Sequence, residues 1–459
     1  MAISELRCAI MIYRRKVDMS INVGFISLGC PKNQVDAELM LGKIEKAGLN
    51  IVDVAYEADV VVINTCGFIE DAKKEAIDNI FEMVELKNEG TISKILVTGC
   101  LAERYKEEIF AEIPEVDGVL GLGANADIVE AVKAVMNGEK VGMYPEKEKM
   151  PLGGDRLLTT PQHWAYLKIA DGCSNCCTYC AIPAIRGGFR SRPMEEVLAE
   201  AEKLAADGTK EIILIAQDTT RYGLDLYDEL KLPELLRKLN EIEGLEWIRM
   251  LYCYPDRITD ELIDTMAECE KVLHYIDLPL QHADARVLKA MNRTGDRDSL
   301  EALIDKIREK MPDVVLRTTF ITGFPGEDEE AFNNLAEFAD DIMFDRLGCF
   351  AYSAEEGTPA AEFDNQVDDE VKKHRADVIM EQQYDVFQFK QKKLIGTTIR
   401  CIVEGYDSYT DSYFGRTWMD APEIDSVVYF TGKGEYNEGD MVDVEIFDIN
   451  EYDLMGEIV

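Results

Sequence analysis

Cys173, Cys177 and Cys180 are spaced Cys-x₃-Cys-x₂-Cys within the run Asp-Gly-Cys-Ser-Asn-Cys-Cys-Thr-Tyr-Cys at 171–180. Residues 166–170 before it read as a strand, so the following loop presents three thiolates together at one strand end. Each can hold one corner of a cuboidal iron–sulfur cluster. Fully ligated electron-transfer clusters use four cysteines; three leave one iron open to a small molecule. The run also parses as two abutting Cys-x₂-Cys pairs, 173/176 and 177/180, which suggests zinc. Zinc ribbons, however, separate their pairs by roughly 15–20 residues so that two turns face one ion. Here a single tight loop would have to fold back on itself. The iron–sulfur reading is preferred, and Cys176 becomes an off-register neighbour rather than a ligand.

The 459 residues suffice for two or three domains. No run of 18 or more apolar residues occurs, so nothing is expected to span a membrane. Near the start, an apolar stretch (residues 8–13) precedes Arg14, Arg15 and Lys16, the reverse of a signal peptide's order. Met19 reads as an alternative start. Twelve cysteines scattered through a long chain, several at strand ends, point to a reducing cytoplasm and metal ligation rather than a disulfide framework.

Acidic residues number 89 against 49 basic, a formal net charge of −40. Binding nucleic acid through its phosphates needs a basic face, and this chain offers few clusters of that kind. From residue 393 onward only Lys393, Arg400, Arg416 and Lys433 stand against fifteen acidic residues. Such a module repels RNA and attracts a cationic protein.

Three segments emerge. The first, 21–144, alternates strand and helix: apolar runs at 22–28, 59–64 and 94–98 end at Gly29-Cys30, Thr65-Cys66 and Gly99-Cys100, each followed by a helical pattern. This predicts a parallel α/β sheet. Ligands bind at the carboxyl edge of such sheets, so Cys30, Cys66 and Cys100 occupy one topological slot. Any one of them alone would read as a small buried hydrophobe; three in the same position point to a second metal cluster. Residues 121–126 faintly resemble a dinucleotide fingerprint but read as a loop.

The second segment, 158–390, offers six strand candidates (166–170, 211–216, 247–252, 274–278, 314–321 and 346–352) separated by helical stretches. The expectation is a partial (βα)6 barrel with its polar strand ends gathered at the top. The third, 393–459, carries short strands at 398–403, 427–430 and 441–447 and one near Met455, a small β-barrel reached through a long helix at 368–393.

The cluster motif, the three upstream cysteines and the β-barrel tail resemble the methylthiotransferases, radical S-adenosylmethionine (SAM) enzymes with an N-terminal cluster domain and a TRAM tail. The resemblance covers nearly everything from Asn22 onward. Four stretches resemble the branch that modifies ribosomal protein rather than tRNA. They begin at Ser27 (Ser-Leu-Gly-Cys-Pro-Lys-Asn), Asn64 (Asn-Thr-Cys-Gly-Phe-Ile), Ala181 (Ala-Ile-Pro-Ala-Ile-Arg-Gly) and Asp420 (Asp-Ala-Pro-Glu-Ile-Asp). Two features depart from the pattern: Cys176 stands where the family often has Arg, and residues 1–18 are extra.

The resemblance implies two 4Fe-4S clusters, one on Cys173, Cys177 and Cys180 that binds SAM and one on Cys30, Cys66 and Cys100 that carries the sulfur. It implies methylthiolation of the β-carbon of an aspartate in the twelfth small-subunit ribosomal protein, which is basic. The rival reading is a tRNA adenosine methylthiotransferase. A low-potential electron donor of flavodoxin or ferredoxin type is implied as partner. For SAM contacts, Tyr179 is expected near the adenine or packed as a ring. Gln217 and Asp218 are expected at the amino group, and Arg317 or Arg190 at the carboxylate. His282 reads as a satisfied loop residue rather than a base, and Cys8, Cys253, Cys269, Cys349 and Cys401 as packed thiols.

Overall fold

The computed structural model describes residues 21–459; Cys8 and the alternative start at Met19 lie outside them. Six parallel strands form the first sheet: β1 (Asn22–Ser27), β2 (Asn50–Val52), β3 (Val60–Thr65), β4 (Lys94–Gly99), β5 (Gly118–Leu120) and β6 (Val141–Met143). Their order is β2-β1-β3-β4-β5-β6. β3, Val-Val-Val-Ile-Asn-Thr, is buried at every position, as a strand covered on both faces must be. Helices α1 (Pro31–Lys46) and α4 (Ile128–Met136) cover one face through Met40, Ile44, Ile128 and Val132. On the other face, α2 (Glu70–Asn88) and α3 (Cys100–Glu112) pack Ala76, Ile80, Leu101 and Ile109. β2, β5 and β6, three residues each, are too short to show a period in sequence. Of residues 121–126, read as a loop, all but Gly121 fall in a 3₁₀ helix, Leu122–Asp127.

The second sheet is also parallel, in the order β14-β13-β12-β11-β10-β7. It comprises β7 (Trp164–Lys168), β10 (Glu211–Ile215), β11 (Trp247–Met250), β12 (Val272–Asp277), β13 (Val315–Thr322) and β14 (Arg346–Ala351). A two-stranded antiparallel ribbon, β8 (Ala170–Asp171) with β9 (Arg190–Ser191), extends the chain past β7. Helices pack the outer face into the largest core of the molecule. Among the described residues, no helix is long and apolar enough to cross a membrane.

Six strands do not close a barrel, so the inner face needs a cover. One apolar cluster joins Tyr166, Ile213, Ile215, Tyr275 and Val315 from this face to Val35 and Leu39 of α1 and to Ile402 and Ala421 of the C-terminal module. The run 420–425 is the stopper. Asp425 accepts from Tyr275 Oη (2.6 Å) and Arg317 (2.9 Å), Asp420 accepts from Arg346 (2.5 Å), and Glu423 accepts from Tyr166 Oη (3.4 Å). Beneath it, Glu211 of β10 binds Arg249 (2.7 Å) and Arg416 (2.8 Å), all three buried.

The helix Asp369–Lys392 leads to a closed five-stranded barrel in the order β15-β16-β17-β19-β18. Its strands are β15 (Thr398–Asp407), β16 (Ser412–Thr417), β17 (Val428–Thr431), β18 (Met441–Asn450) and β19 (Asp453–Ile458). β16 was absent from the sequence expectation. Gly415 breaks its residue pattern, and that glycine lies where a Cβ would meet the Ile402 carbonyl at 2.1 Å. Of the four cations in this module, Arg416 is buried against Glu211 and Glu404, and Arg400 faces Glu246. Its surface is therefore more acidic than its composition suggests.

Candidate functional site: two facing sets of three thiols

The first set assembles at the carboxyl edge of the first sheet, around the point where strand order reverses between β1 and β3, the expected ligand position in such a sheet. Cys30 is the N-cap of α1, with Pro31 pre-set for the first helical turn. Cys66 follows β3, and Cys100 opens α3. Two glycines make the convergence possible. Gly29 has φ +98°, and a Cβ there would lie 2.8 Å from Cys66 Cβ; Gly99 has φ +93°, and a Cβ there would meet the Thr65 carbonyl oxygen at 2.4 Å. Only glycine fits such close approach at positive φ.

The thiols of this set feel one another. Burial pushes Cys100 up to about 12, with Cys30 and Cys66 adding to the rise and Arg186 opposing it. Burial also raises Cys66. At Cys30 burial acts in the same direction, but Lys32, Arg186 and the N–H groups of Asn33 and Lys32 outweigh it and leave its thiol below the ordinary range. Backbone donors and positive helix ends aimed at sulfur favour anionic ligands.

The second set lies on the loop after β8. Cys173 N–H donates to the Gly187 carbonyl (3.1 Å), Asn175 Nδ2 to Asp218 (2.8 Å) and Thr178 N–H to the Met291 carbonyl (3.1 Å). The loop is thus held from three sides. Burial, with Cys177 adding to it, lifts Cys173 to about 11 and Cys180 to about 12. Cys176 turns away: it has φ +53°, is exposed, and its thiol contacts the Ser174 carbonyl.

The donor chemistry fits iron–sulfur clusters: two sets of three mutually close thiols, each at a strand end with backbone N–H groups around it.

Between the sets lies a buried charge network. Arg186 donates to Asp36 (2.9 Å) and Asp171 (2.9 Å); Lys168 pairs with the same two carboxylates. All four are at most 1% exposed. Burial favours the neutral acid at Asp171, but Arg186 and Lys168 outweigh it and hold the carboxyl far below the usual range. Asp36 belongs to α1, and Asp171 stands two residues before Cys173. The network therefore fixes one thiol set relative to the other.

Gln217 donates to Asp171 (3.2 Å) and keeps a buried, unpartnered Oε1. Asp218 is occupied by Asn175, Thr220 and Arg257. Arg190 has buried, unpartnered Nε and Nη2 atoms. Arg317 is bound to Asp425 of the stopper (2.9 Å) and lies 3.6 Å from Asp277 at the end of β12. The Tyr179 ring packs edge-on to Phe324 in an apolar cluster beside the loop. His282 is buried, with Glu327 at 3.2 Å and the Asp284 N–H at 2.9 Å. Cys253, Cys269 and Cys401 are buried and Cys349 half-buried. Sequence reasoning did not single out Arg186, Lys32 or Arg293. The first two sit inside recognised motifs, but Arg293, over the Tyr254 ring at 4.3 Å and 3.9 Å from Cys177 Sγ, carries no local signal.

Three families match in series: the Uncharacterized protein family UPF0004 over residues 22–121, the Radical SAM superfamily over 167–339, and the TRAM domain over 395–459. Among solved structures, the radical S-adenosylmethionine methyltransferase TsrM from Kitasatospora setae, with cobalamin and a [4Fe-4S] cluster bound, aligns with a TM-score of 0.55 at 14% identity. That alignment covers 74% of this chain and 77% of TsrM, a likeness of fold. The ribosomal protein uS12 methylthiotransferase RimO of Desulfitobacterium hafniense is 49% identical over 95% of this chain and 98% of its own length. The same enzyme of Clostridioides difficile is 44% identical over 96% and 99%. The chain belongs to the RimO family of methylthiotransferases within the Radical SAM superfamily.

Proposed function

We propose that the protein transfers a methylthio group to the β-carbon of an aspartate in ribosomal protein uS12, with Cys173, Cys177 and Cys180 holding a SAM-binding 4Fe-4S cluster. Cys30, Cys66 and Cys100 hold the second cluster, which carries the sulfur. When bound, a cluster with an open iron supplies, together with SAM, the one-electron chemistry that attack on an unactivated C–H bond requires. The chain's own residues supply position. Gln217 Oε1 is a free buried acceptor for the SAM amino group, and the unpartnered nitrogens of Arg190 suit its carboxylate. Asp218 acts one step back, orienting the cluster loop through Asn175. Arg317, held by Asp425, serves the domain junction instead. Tyr179 contributes ring packing beside the loop.

The observation that carries this reading is the pair of three-thiol sets, each at a strand end, joined through Arg186, Asp36 and Asp171. The acidic C-terminal barrel suits a cationic substrate such as a ribosomal protein, and a low-potential flavodoxin or ferredoxin is the fitting electron source. The test is anaerobic incubation of reconstituted protein with SAM, a reductant and either uS12 or tRNA, read by mass spectrometry. A methylthio group on uS12 alone supports the proposal; one on tRNA adenosine alone overturns it.

A further inference from the structure

Lys32, in the first turn of α1, leaves the first sheet and ends over the mouth of the second. Its Nζ lies 3.0 Å from the centre of the Tyr252 ring, just past the end of β11. The charges of Cys30, Asp171 and Asp277 all act on it; Cys30 belongs to one thiol set, and Asp171 stands two residues before Cys173 of the other. Lys32 is 6% exposed.

Its pairing is unusual for this molecule. Lys168, Arg186, Arg249, Arg375 and Arg416 are also buried, and each binds a carboxylate. Arg293 donates to the Pro279 carbonyl at 2.7 Å. Among the described residues the Lys32 Nζ makes no hydrogen bond or ion pair within contact distance; the Tyr252 ring face is its near partner, and the charges of Cys30, Asp171 and Asp277 act on it from farther off. A ring face offsets only part of what an ammonium loses on leaving water. The ammonium therefore keeps a contact position open to an anion that arrives from outside.

We propose that Lys32 receives the carboxylate of the target aspartate. This deepens the function proposed above and rests on it. In aspartate the carboxylate is bonded directly to the β-carbon, so a cation gripping it holds the reacting carbon one bond from its anchor. The same contact rejects asparagine, which matches aspartate in shape but brings no charge.

The test compares binding of recombinant uS12 with that of uS12 carrying Asn in place of the target aspartate. Holoprotein with SAM is titrated anaerobically by calorimetry, as wild type, Lys32→Met and Lys32→Arg. Wild type should prefer the aspartate form by about tenfold. Lys32→Met should bind both forms equally, and Lys32→Arg should keep the preference. If Lys32→Met fails to load iron, Lys32→Gln takes its place. Retained preference in the neutral variant overturns the inference, as does a wild type that modifies uS12 yet binds both forms alike. A shifted cluster potential with intact preference assigns Lys32 to the cluster instead. Failure of wild type to bind or modify uS12 sinks the proposed function itself, and this shows before any variant is made.

Discussion

Arg186 Nη2 lies 2.9 Å from Asp36 Oδ2, joining α1, which Cys30 caps, to the short helix Ile182–Arg186 that follows the Cys173 loop. Both are 1% exposed. Removing one member of a buried charge network leaves the others uncompensated, at about 3–5 kcal/mol. Arg186→Leu should lower the denaturant midpoint accordingly. It should also speed proteolysis within 144–158, as the first sheet loosens from the second. Unchanged proteolysis would mean the apolar packing of Val35 and Leu39 suffices to dock the two.

The two thiol sets should separate by function. Alanine at Cys173, Cys177 or Cys180 should abolish release of 5′-deoxyadenosine from SAM. Alanine at Cys30, Cys66 or Cys100 should leave that release and stop methylthiolation of uS12. Chromatography of the nucleoside and mass spectrometry of uS12 read the two outcomes, and full methylthiolation by the second group of variants would refute the division.

Gly29→Ala tests the first set without touching a ligand. The new methyl would stand 2.8 Å from Cys66 Cβ on a backbone with φ +98°. We expect bound iron to fall from about eight per chain to about four, the content of one 4Fe-4S cluster, while deoxyadenosine release persists.

Asp117 gives a pH signature. Burial alone would raise its carboxyl, but Lys87, Lys94 and the Ile95 N–H outweigh that and hold it below the model-peptide value of 3.8. A depressed folded value contributes stability that is present above pH 3.8 and lost as pH falls through the folded value. Asp117→Asn should therefore destabilise by about 1–3 kcal/mol at neutral pH. The gap to wild type should close as acid denaturation is approached. A constant gap across pH would assign the effect to packing.

A basic uS12 should be drawn by long-range attraction to the acidic barrel. Glu435 and Glu438 are exposed on it, and replacing both by Gln should slow association several-fold at low salt. The difference should vanish near 0.5 M salt, where screening shortens the range of surface charge. Stopped-flow fluorescence reads both.

Much of this was legible in sequence, because alternation of apolar and polar residues reports strands and a repeated Gly-Cys or Thr-Cys at their ends reports a shared edge. Cys30, Cys66 and Cys100 could be grouped on topology alone. Pairings between distant residues leave no such trace. Nothing near Arg317 announces Asp425, 108 residues away, and nothing near Asp36 announces Arg186. β16 escaped because it is a short run interrupted by the Gly415 its neighbour's backbone demands. Lys32 lay in plain view beside Cys30, but which sheet its side chain reaches depends on how α1 packs.

The loop 420–425 gives the C-terminal barrel a second duty. Cutting the chain before residue 393 would strip the lining formed by Tyr166, Ile213, Tyr275 and Val315 of the barrel's share of its cover and take Arg416 from Glu211 and Asp425 from Arg317. A tail-less protein is thus a damaged scaffold rather than an enzyme missing only its grip on substrate. Exchanging tails between relatives will preserve a working catalyst only when the incoming piece brings a matching cork.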